Sequence, residues 1–223
     1  MGTETAISRV LDTIEKGMMK RQFAVGCFLD IASAFDRLDA EKATQALRRR
    51  GIDSYIVDWY GDYLRHRYAI VELKGIKRLL KINTGCPQGG VLSTMLWSIA
   101  FDDLLRKFDI GNIKSIGYAD DGSLIMCGQR LEAIFKEMNI AIQKCVDWAK
   151  EYGLKLSEEK TSYIIFTYKN RNQWICPSID PWSPIDQHKT KPTAQGHYPS
   201  ILNKFYRMAS SHLQGSNIYK KLS

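Results

Sequence analysis

No stretch of the chain approaches 18 uninterrupted apolar residues, so no segment is expected to span a membrane. The first twenty residues mix Glu, Arg, Asp and Lys with their apolar residues and lack the apolar block of a secretory signal. Cysteine is sparse and odd in number: Cys27, Cys86, Cys127, Cys145 and Cys176, with no C-x-x-C pair. That argues against a disulfide framework and a zinc ribbon, and makes a reducing interior, cytoplasmic or nuclear, the expected compartment. Proline is nearly missing from the first three quarters of the chain: Pro177, Pro181, Pro184, Pro192 and Pro199 all lie beyond residue 168. Acidic residues thin out at the same place. Of the formal net charge of +8, residues 168–223 carry +6 and residues 1–167 only +2. The body is nearly neutral, so charge alone does not identify a polyanion partner. We read 1–167 as the folded domain. The basic, proline-containing segment 168–223 reads as a mostly disordered tail, with at most a short helix near Ser200–Met208.

The whole chain, 223 residues at 44% hydrophobic content, is enough for one sizeable core, which we place in 1–167. Phe23–Asp30 is an apolar run rich in strand formers. Asp39 can cap a helix over 40–50, with Arg48, Arg49 and Arg50 in its last turn and Gly51 after it. Ser54 can cap a second helix whose Ile56, Trp59, Tyr60 and Tyr63 share one side. Tyr68–Leu73 and Ile76–Ile82 flank Lys74-Gly75 as a hairpin. Gly85–Gly90 is a loop, followed by helical spacing at Leu92, Met95, Leu96 and Ile99. Ile113–Ala119 and Gly122–Cys127 are short strands meeting at Asp120-Asp121. Leu131 to Gly153 is a long helix, and Thr161–Thr167 a last strand. With the small helices and the first hairpin set aside, the order is strand, helix, strand, strand, helix, strand, a split βαβ arrangement. Right-handed crossover makes the first two of these strands parallel. Asp30, which ends one, then lies at the same sheet edge as Asp120, although they are about 90 residues apart.

Carboxylates gathered at an open sheet edge repel one another unless a cation sits between them. Hard oxygen donors favour Mg²⁺, and two such ions can stabilise the attacking and leaving oxygens of a phosphoryl displacement. Asp30, Asp120 and Asp121 suit that task. On spacing alone, Asp121-Gly122 reads first as an ordinary hairpin turn, with a metal site as the alternative.

Three longer motifs bear on that choice. Phe28-Leu29-Asp30-Ile31-Ala32-Ser33-Ala34-Phe35-Asp36, Gly85-Cys86-Pro87-Gln88-Gly89-Gly90-Val91-Leu92-Ser93 and Tyr118-Ala119-Asp120-Asp121 resemble the A, B and C motifs of reverse transcriptases. They are most similar to elements without long terminal repeats, the jockey-like group. Gly153-Leu154-Lys155-Leu156 with Glu159-Lys160-Thr161 resembles motif D, and Thr3-Glu4-Thr5-Ala6 the end of a fingers segment. The resemblance covers about residues 2–167. It implies an α+β polymerase palm, a split βαβ antiparallel sheet with helices on one face, with a partial fingers region. It implies that Asp30, Asp120 and Asp121 hold two Mg²⁺ ions, with the Ile31 carbonyl available as a further ligand. Phe35 would lie under the sugar of the incoming nucleotide and exclude a 2′-hydroxyl; otherwise it is an ordinary buried Phe. Gln88 and Gly89 would contact nucleotide and template; otherwise they belong to a plain loop entering a helix. Lys160 would face the leaving pyrophosphate as a charge stabiliser or proton donor, and as a lone Lys it reads as solvated surface. Asp36 is expected to order the turn, and Tyr118 to pack beside the primer end.

The resemblance also implies the partners: an RNA template, a DNA primer and deoxynucleoside triphosphates. Departures from the pattern set the alternative. Thr94 stands where a proline is usual. The fingers cations that grip a triphosphate, a primer-grip motif and a thumb are not recognised, so the domain is expected to be truncated at both ends. Two readings result: an RNA-directed DNA polymerase, or a catalytically inactive remnant of one with at most weak nucleic-acid binding. Because those parts are not recognised, the chain as given is expected to be inactive, with primer extension at background.

Overall fold

The computed structural model describes residues 3–108, 111–157 and 160–167. The segment expected to be a tail, 168–223, lies outside them. The chain divides into two compact units. The first comprises the chain up to Asp30, Lys107–Cys145 and the part from Leu156 onward; the second comprises Ile31–Arg106 and Val146–Lys155.

The first unit is built on a sheet. Strands β1 (Phe23–Ala32), β4 (Ile113–Tyr118), β5 (Asp121–Gly128), β6 (Lys155–Leu156) and β7 (Ser162–Phe166) form it in the order β4-β5-β1-β6, with β7 also pairing with β1. β5 runs antiparallel to both β1 and β4. β1 and β4 therefore point the same way, as the crossover argument requires, and β5 separates them.

Side chains alternate across a strand, so the register assigns faces. Ala24, Gly26, Phe28 and Asp30 share a face with Cys127, Ile125, Ser123 and Asp121. Helix α1 (Thr3–Met19) covers the start of that face. Its Val10, Ile14 and Met18 form one buried cluster with Ala24 and Ile125, joined by Ile116, Cys127 and Phe166. Packing is close: a Cβ added at Gly17 would stand 2.4 Å from the Cys127 sulfur. The first part of α6 (Leu131–Glu151) lies on the other face. There Phe135 meets Tyr163 edge to face at 5.8 Å, and a Cβ at Gly128 would touch Ile134. Helices thus cover both faces of the sheet, where the sequence suggested one. The added cover is α1, whose Ala6, Ile7, Val10, Ile14 and Met18 are all buried at helical spacing.

The second unit is helical. It contains α2 (Ala34–Arg37), α3 (Ala40–Arg49), α4 (Ser54–Arg65) and α5 (Val91–Arg106), with α3 packed on α4 and α5. Asp39 caps α3 as expected, its carboxylate accepting from the Lys42 amide at 2.9 Å. The cap of α4 is Asp53, one residue before the expected Ser54. α4 buries Val57, Tyr60, Gly61 and Leu64, while Ile56, Trp59 and Tyr63 stay exposed. The side read from the sequence as apolar is therefore split. α5 likewise buries Leu96, Trp97, Ala100, Phe101 and Leu104 and leaves Leu92 and Met95 out. Phe101 stacks on Trp97, and both rings meet Trp148 at an angle; Trp148 also donates its indole N–H to the Ala100 carbonyl at 3.2 Å. Arg49 and Arg50 do more than face a helix terminus: both pair with Asp103 across to α5, and Arg50 also reaches Asp102.

A separate hairpin, β2 (Arg67–Leu73) with β3 (Ile76–Ile82), turns at Lys74-Gly75, both at positive φ (51° and 79°). That is the backbone a two-residue hairpin loop requires.

Candidate active site

Asp30 and Asp121 are opposite one another in the β1–β5 register. Tyr118 is the β4 partner of Asp121, so Tyr118, Asp121 and Asp30 stand in a row on one face of three adjacent strands. The β4–β5 turn is Ala119-Asp120, with Ala119 at φ 53°. Asp121 already belongs to the strand, so the turn lies two positions earlier in the chain than one at Asp121-Gly122 would. The sheet therefore brings the three expected carboxylates together.

Their proximity has an electrostatic consequence. The Asp121 carboxyl is pushed up to about 6, first by burial and then by the negative charges of Asp120 and Asp30. A second feature fixes Asp30 itself. Its amide donates to the Thr161 hydroxyl at 3.3 Å, and its carbonyl accepts from the Ser157 amide at 2.8 Å. The turn closes on itself where the Thr161 amide donates to the Ser157 carbonyl at 2.9 Å. Exposed Lys160 sits in that turn, next to Thr161. The sequence named Thr161 as part of a motif and as the start of a strand; its role as an anchor for Asp30 was not legible, because a hydroxyl at a strand start carries no mark of its partner.

The expected nucleotide-contacting residues belong to the second unit, where they form their own assembly. Ile31 is buried near the end of β1. Ser33 then takes a left-handed turn (φ 51°) into α2. Phe35 is half-buried, its ring 5.8 Å from that of Trp97. The Gly85–Gly90 loop is bolted to this turn. Gly85 donates to the Leu38 carbonyl at 2.9 Å, Cys86 to the Phe35 carbonyl at 2.7 Å, and the Gln88 amide group to the Asp36 carboxylate at 2.8 Å. The Asp36 carboxylate thus ties the loop to the α2 turn. Gln88 is tied to Asp36, and Gly89 is open, with a φ of 82° and nothing within 4 Å of an added Cβ.

The sequence matches the family described as Reverse transcriptase (RNA-dependent DNA polymerase) over residues 5–198. The chain belongs to the reverse transcriptase family. The match continues past residue 167, into the segment read as a tail. Among similar proteins, the RNA-directed DNA polymerase from mobile element jockey of Drosophila melanogaster is 26% identical over 185 residues, covering 80% of this chain and 20% of that protein. The Pol polyprotein of the type-1 retrotransposable element R1 of Bradysia coprophila is 24% identical over 73% of this chain and 16% of its own length. The chain therefore spans about a fifth of the length of these relatives. Telomerase from Candida tropicalis, solved with a fragment of telomeric RNA, superposes with a TM-score of 0.62 over 94% of this chain and 37% of its own, at 15% identity. Its apo form gives 0.61 over 73% and 32%, also at 15%. These two establish the palm-type α+β fold.

Among the described residues, no group of three or more His, Cys, Asp or Glu side chains forms a ready-made metal cage. The donor set nevertheless fits Mg²⁺. The carboxylates are hard oxygen donors, their mutual repulsion is unrelieved at Asp121, and Mg²⁺ typically takes few protein ligands and completes its shell with water and phosphate. No helix among the described residues is long and apolar enough to cross a membrane.

Proposed function

We propose that this domain carries out RNA-directed DNA polymerisation. The 3′-hydroxyl of a DNA primer paired to an RNA template attacks the α-phosphate of a deoxynucleoside triphosphate. A new P–O bond forms, the α–β bridge breaks, and pyrophosphate leaves. The observation that carries this reading is that the β1–β5 register sets Asp30 directly opposite Asp121, which follows Asp120 out of the turn, in a chain of the reverse transcriptase family. Carboxylates gathered in this way favour a cation between them.

Asp30, Asp120 and Asp121 would hold two Mg²⁺ ions, with the Ile31 carbonyl as a further donor. When bound, these ions supply charge stabilisation of the attacking and leaving oxygens. The remaining work falls to the chain. Lys160 faces the departing pyrophosphate, either offsetting its charge or giving it a proton. The Phe35 ring, braced by Trp97, excludes a 2′-hydroxyl. Gly89 lets a strand approach the backbone where a side chain would block it. RNA template, DNA primer and deoxynucleotides are the partners this chemistry requires. The nearly neutral body relies on specific contacts more than on net charge to hold them.

The test is primer extension by residues 1–223 on an RNA template with annealed DNA primer, deoxynucleotides and Mg²⁺. Extension above background, abolished by Asp120→Asn, is expected; extension indistinguishable with and without the substitution would overturn the reading. The inactive-remnant alternative drew on parts not recognised at the chain ends. No residue at the carboxylates favours it.

A further inference from the structure

We propose that Arg67 is a positioning residue for the nucleotide-contacting loop, setting where Gln88 and Gly89 stand by gripping the backbone at the loop entrance. Arg67 opens β2, the first strand of the exposed hairpin, and is paired in register with Ile82, which ends it. Its half-buried side chain turns away from hairpin duty. Nε donates to the Leu64 carbonyl at 3.1 Å, and Nη2 donates to the carbonyls of Thr84 at 2.9 Å and Gly85 at 2.5 Å. One guanidinium thus satisfies a carbonyl in the last turn of α4 and two at the start of the loop. Each bond is charge-assisted, and the planar fork fixes three acceptors at once.

The opposite side of the same peptides is fastened elsewhere. Gly85 and Cys86 donate their amides to Leu38 and Phe35, and the Thr84 hydroxyl donates to the Asp36 carbonyl at 3.3 Å. Residues 84–86 are therefore held between Arg67 on one side and the α2 turn on the other. Gln88 and Gly89 follow two and three residues further on. Gly89 has open space around it, so its place is set by what holds the entrance. Lysine cannot substitute, because a single ammonium on a flexible stem lacks the fixed fork. The consequence for catalysis rests on the proposed polymerase activity; the grip itself does not.

Two measurements on residues 1–223 separate these. In the unaltered chain, the Arg67 Nε–H resonance is expected to be protected from exchange, and a freely rotating guanidinium would overturn the proposal. In Arg67→Lys, the Gly85 and Cys86 amides are expected to exchange about tenfold faster, with Ala43 and Leu47 of α3 unchanged. Unchanged exchange at Gly85 and Cys86 would equally overturn it. A loss shared with α3 reports general unfolding, and the Nε–H resonance then decides. In primer extension, Arg67→Lys is expected to raise the deoxynucleotide KM several-fold with kcat within about twofold, the pattern of a lost binding contact. An active enzyme whose KM does not move would overturn the role in nucleotide positioning. An inactive wild type would remove the function reading and leave the exchange data to judge the grip.

Discussion

Asp30 and Asp121 are directly opposed across the β1–β5 pair, so their carboxylates leave the same face of the sheet at neighbouring positions. The strain of that arrangement falls on Asp121, whose folded value of about 6 stands above the ordinary 3.8. The folded state then binds the proton more tightly than the unfolded chain. Stability from this group is complete below about pH 4 and is lost as pH rises through about 6. Asp102 and Asp103 act in the opposite sense: their carboxyls are held low beside Arg106, Arg49, Arg50 and Tyr152, so their contribution is lost only as pH falls below 4. The windows are separate. Asp121→Asn should gain on the wild type between pH 4 and 6.5 and hold a constant lead above it. After discounting for the group's exposure, the lead is about 1 kcal/mol, or roughly 2–4 °C in Tm. Added Mg²⁺ at pH 7 should close the gap by stabilising the wild type alone. Melting curves across pH with and without Mg²⁺ measure this; a gap independent of pH would refute it.

The part of the fold read from sequence was the part governed by local pattern. β1 is an unbroken apolar run, Asp39 is a textual N-cap, and Lys74-Gly75 is a turn pair whose φ values are demanded by hairpin twist. The carboxylate juxtaposition was legible too, because crossover handedness leaves little choice. Elements whose identity depends on partners were not. α1 shows its stripe only once β5 is there to receive it, and Trp59 and Tyr63 look like core until Val57 and Leu64 are seen to be buried instead. The anchors of the site, Thr161 on Asp30 and Arg67 on Gly85, are long-range side-chain bonds to backbone, and no periodicity encodes them.

Thr161→Val tests the first of those anchors. The substitution keeps shape and removes the oxygen that receives the Asp30 amide. A part-buried N–H without a partner should cost about 1–2 kcal/mol. The Asp30 amide should exchange faster while the cross-strand amides of Val25 and Cys27 hold. In primer extension the Mg²⁺ requirement should rise, because Asp30 is less firmly placed. An unchanged Asp30 amide would remove Thr161 from this role.

Phe35→Ala separates nucleotide choice from packing. The ring is half-buried against Trp97, so its loss should cost roughly 1–3 kcal/mol, less than the 3–5 typical of a fully buried Phe. Ribonucleotide incorporation should rise on the order of tenfold or more relative to deoxynucleotides, because the ring is the group assigned to exclude the 2′-hydroxyl. Competitive incorporation assays measure the ratio. Lower stability with unchanged discrimination would make Phe35 a packing residue only.

Gly85 and Gly89 offer a controlled comparison within one loop. Both have positive φ, 77° and 82°, so alanine at either pays the left-handed backbone cost of about 1–2 kcal/mol. They differ in surroundings. A Cβ at Gly89 meets nothing within 4 Å, whereas one at Gly85 would stand 2.5 Å from the Asp36 carbonyl oxygen and 2.6 Å from that of Phe35. Those atoms are backbone, so relief requires moving the α2 turn or the loop. Either motion stretches the bonds from Gly85 to Leu38 and from Cys86 to Phe35. Gly89→Ala should therefore lower Tm by roughly 2–6 °C and leave the fold intact, while Gly85→Ala should lower it at least about twice as far. The order should reverse for binding per folded molecule. Gly89→Ala places a methyl where the nucleic acid is proposed to approach, so its KM effect should exceed what its small stability loss explains. Equal melting losses for the two variants would mean that the loop is not held against the α2 turn, and would undercut both the nucleotide-site geometry and the grip assigned to Arg67.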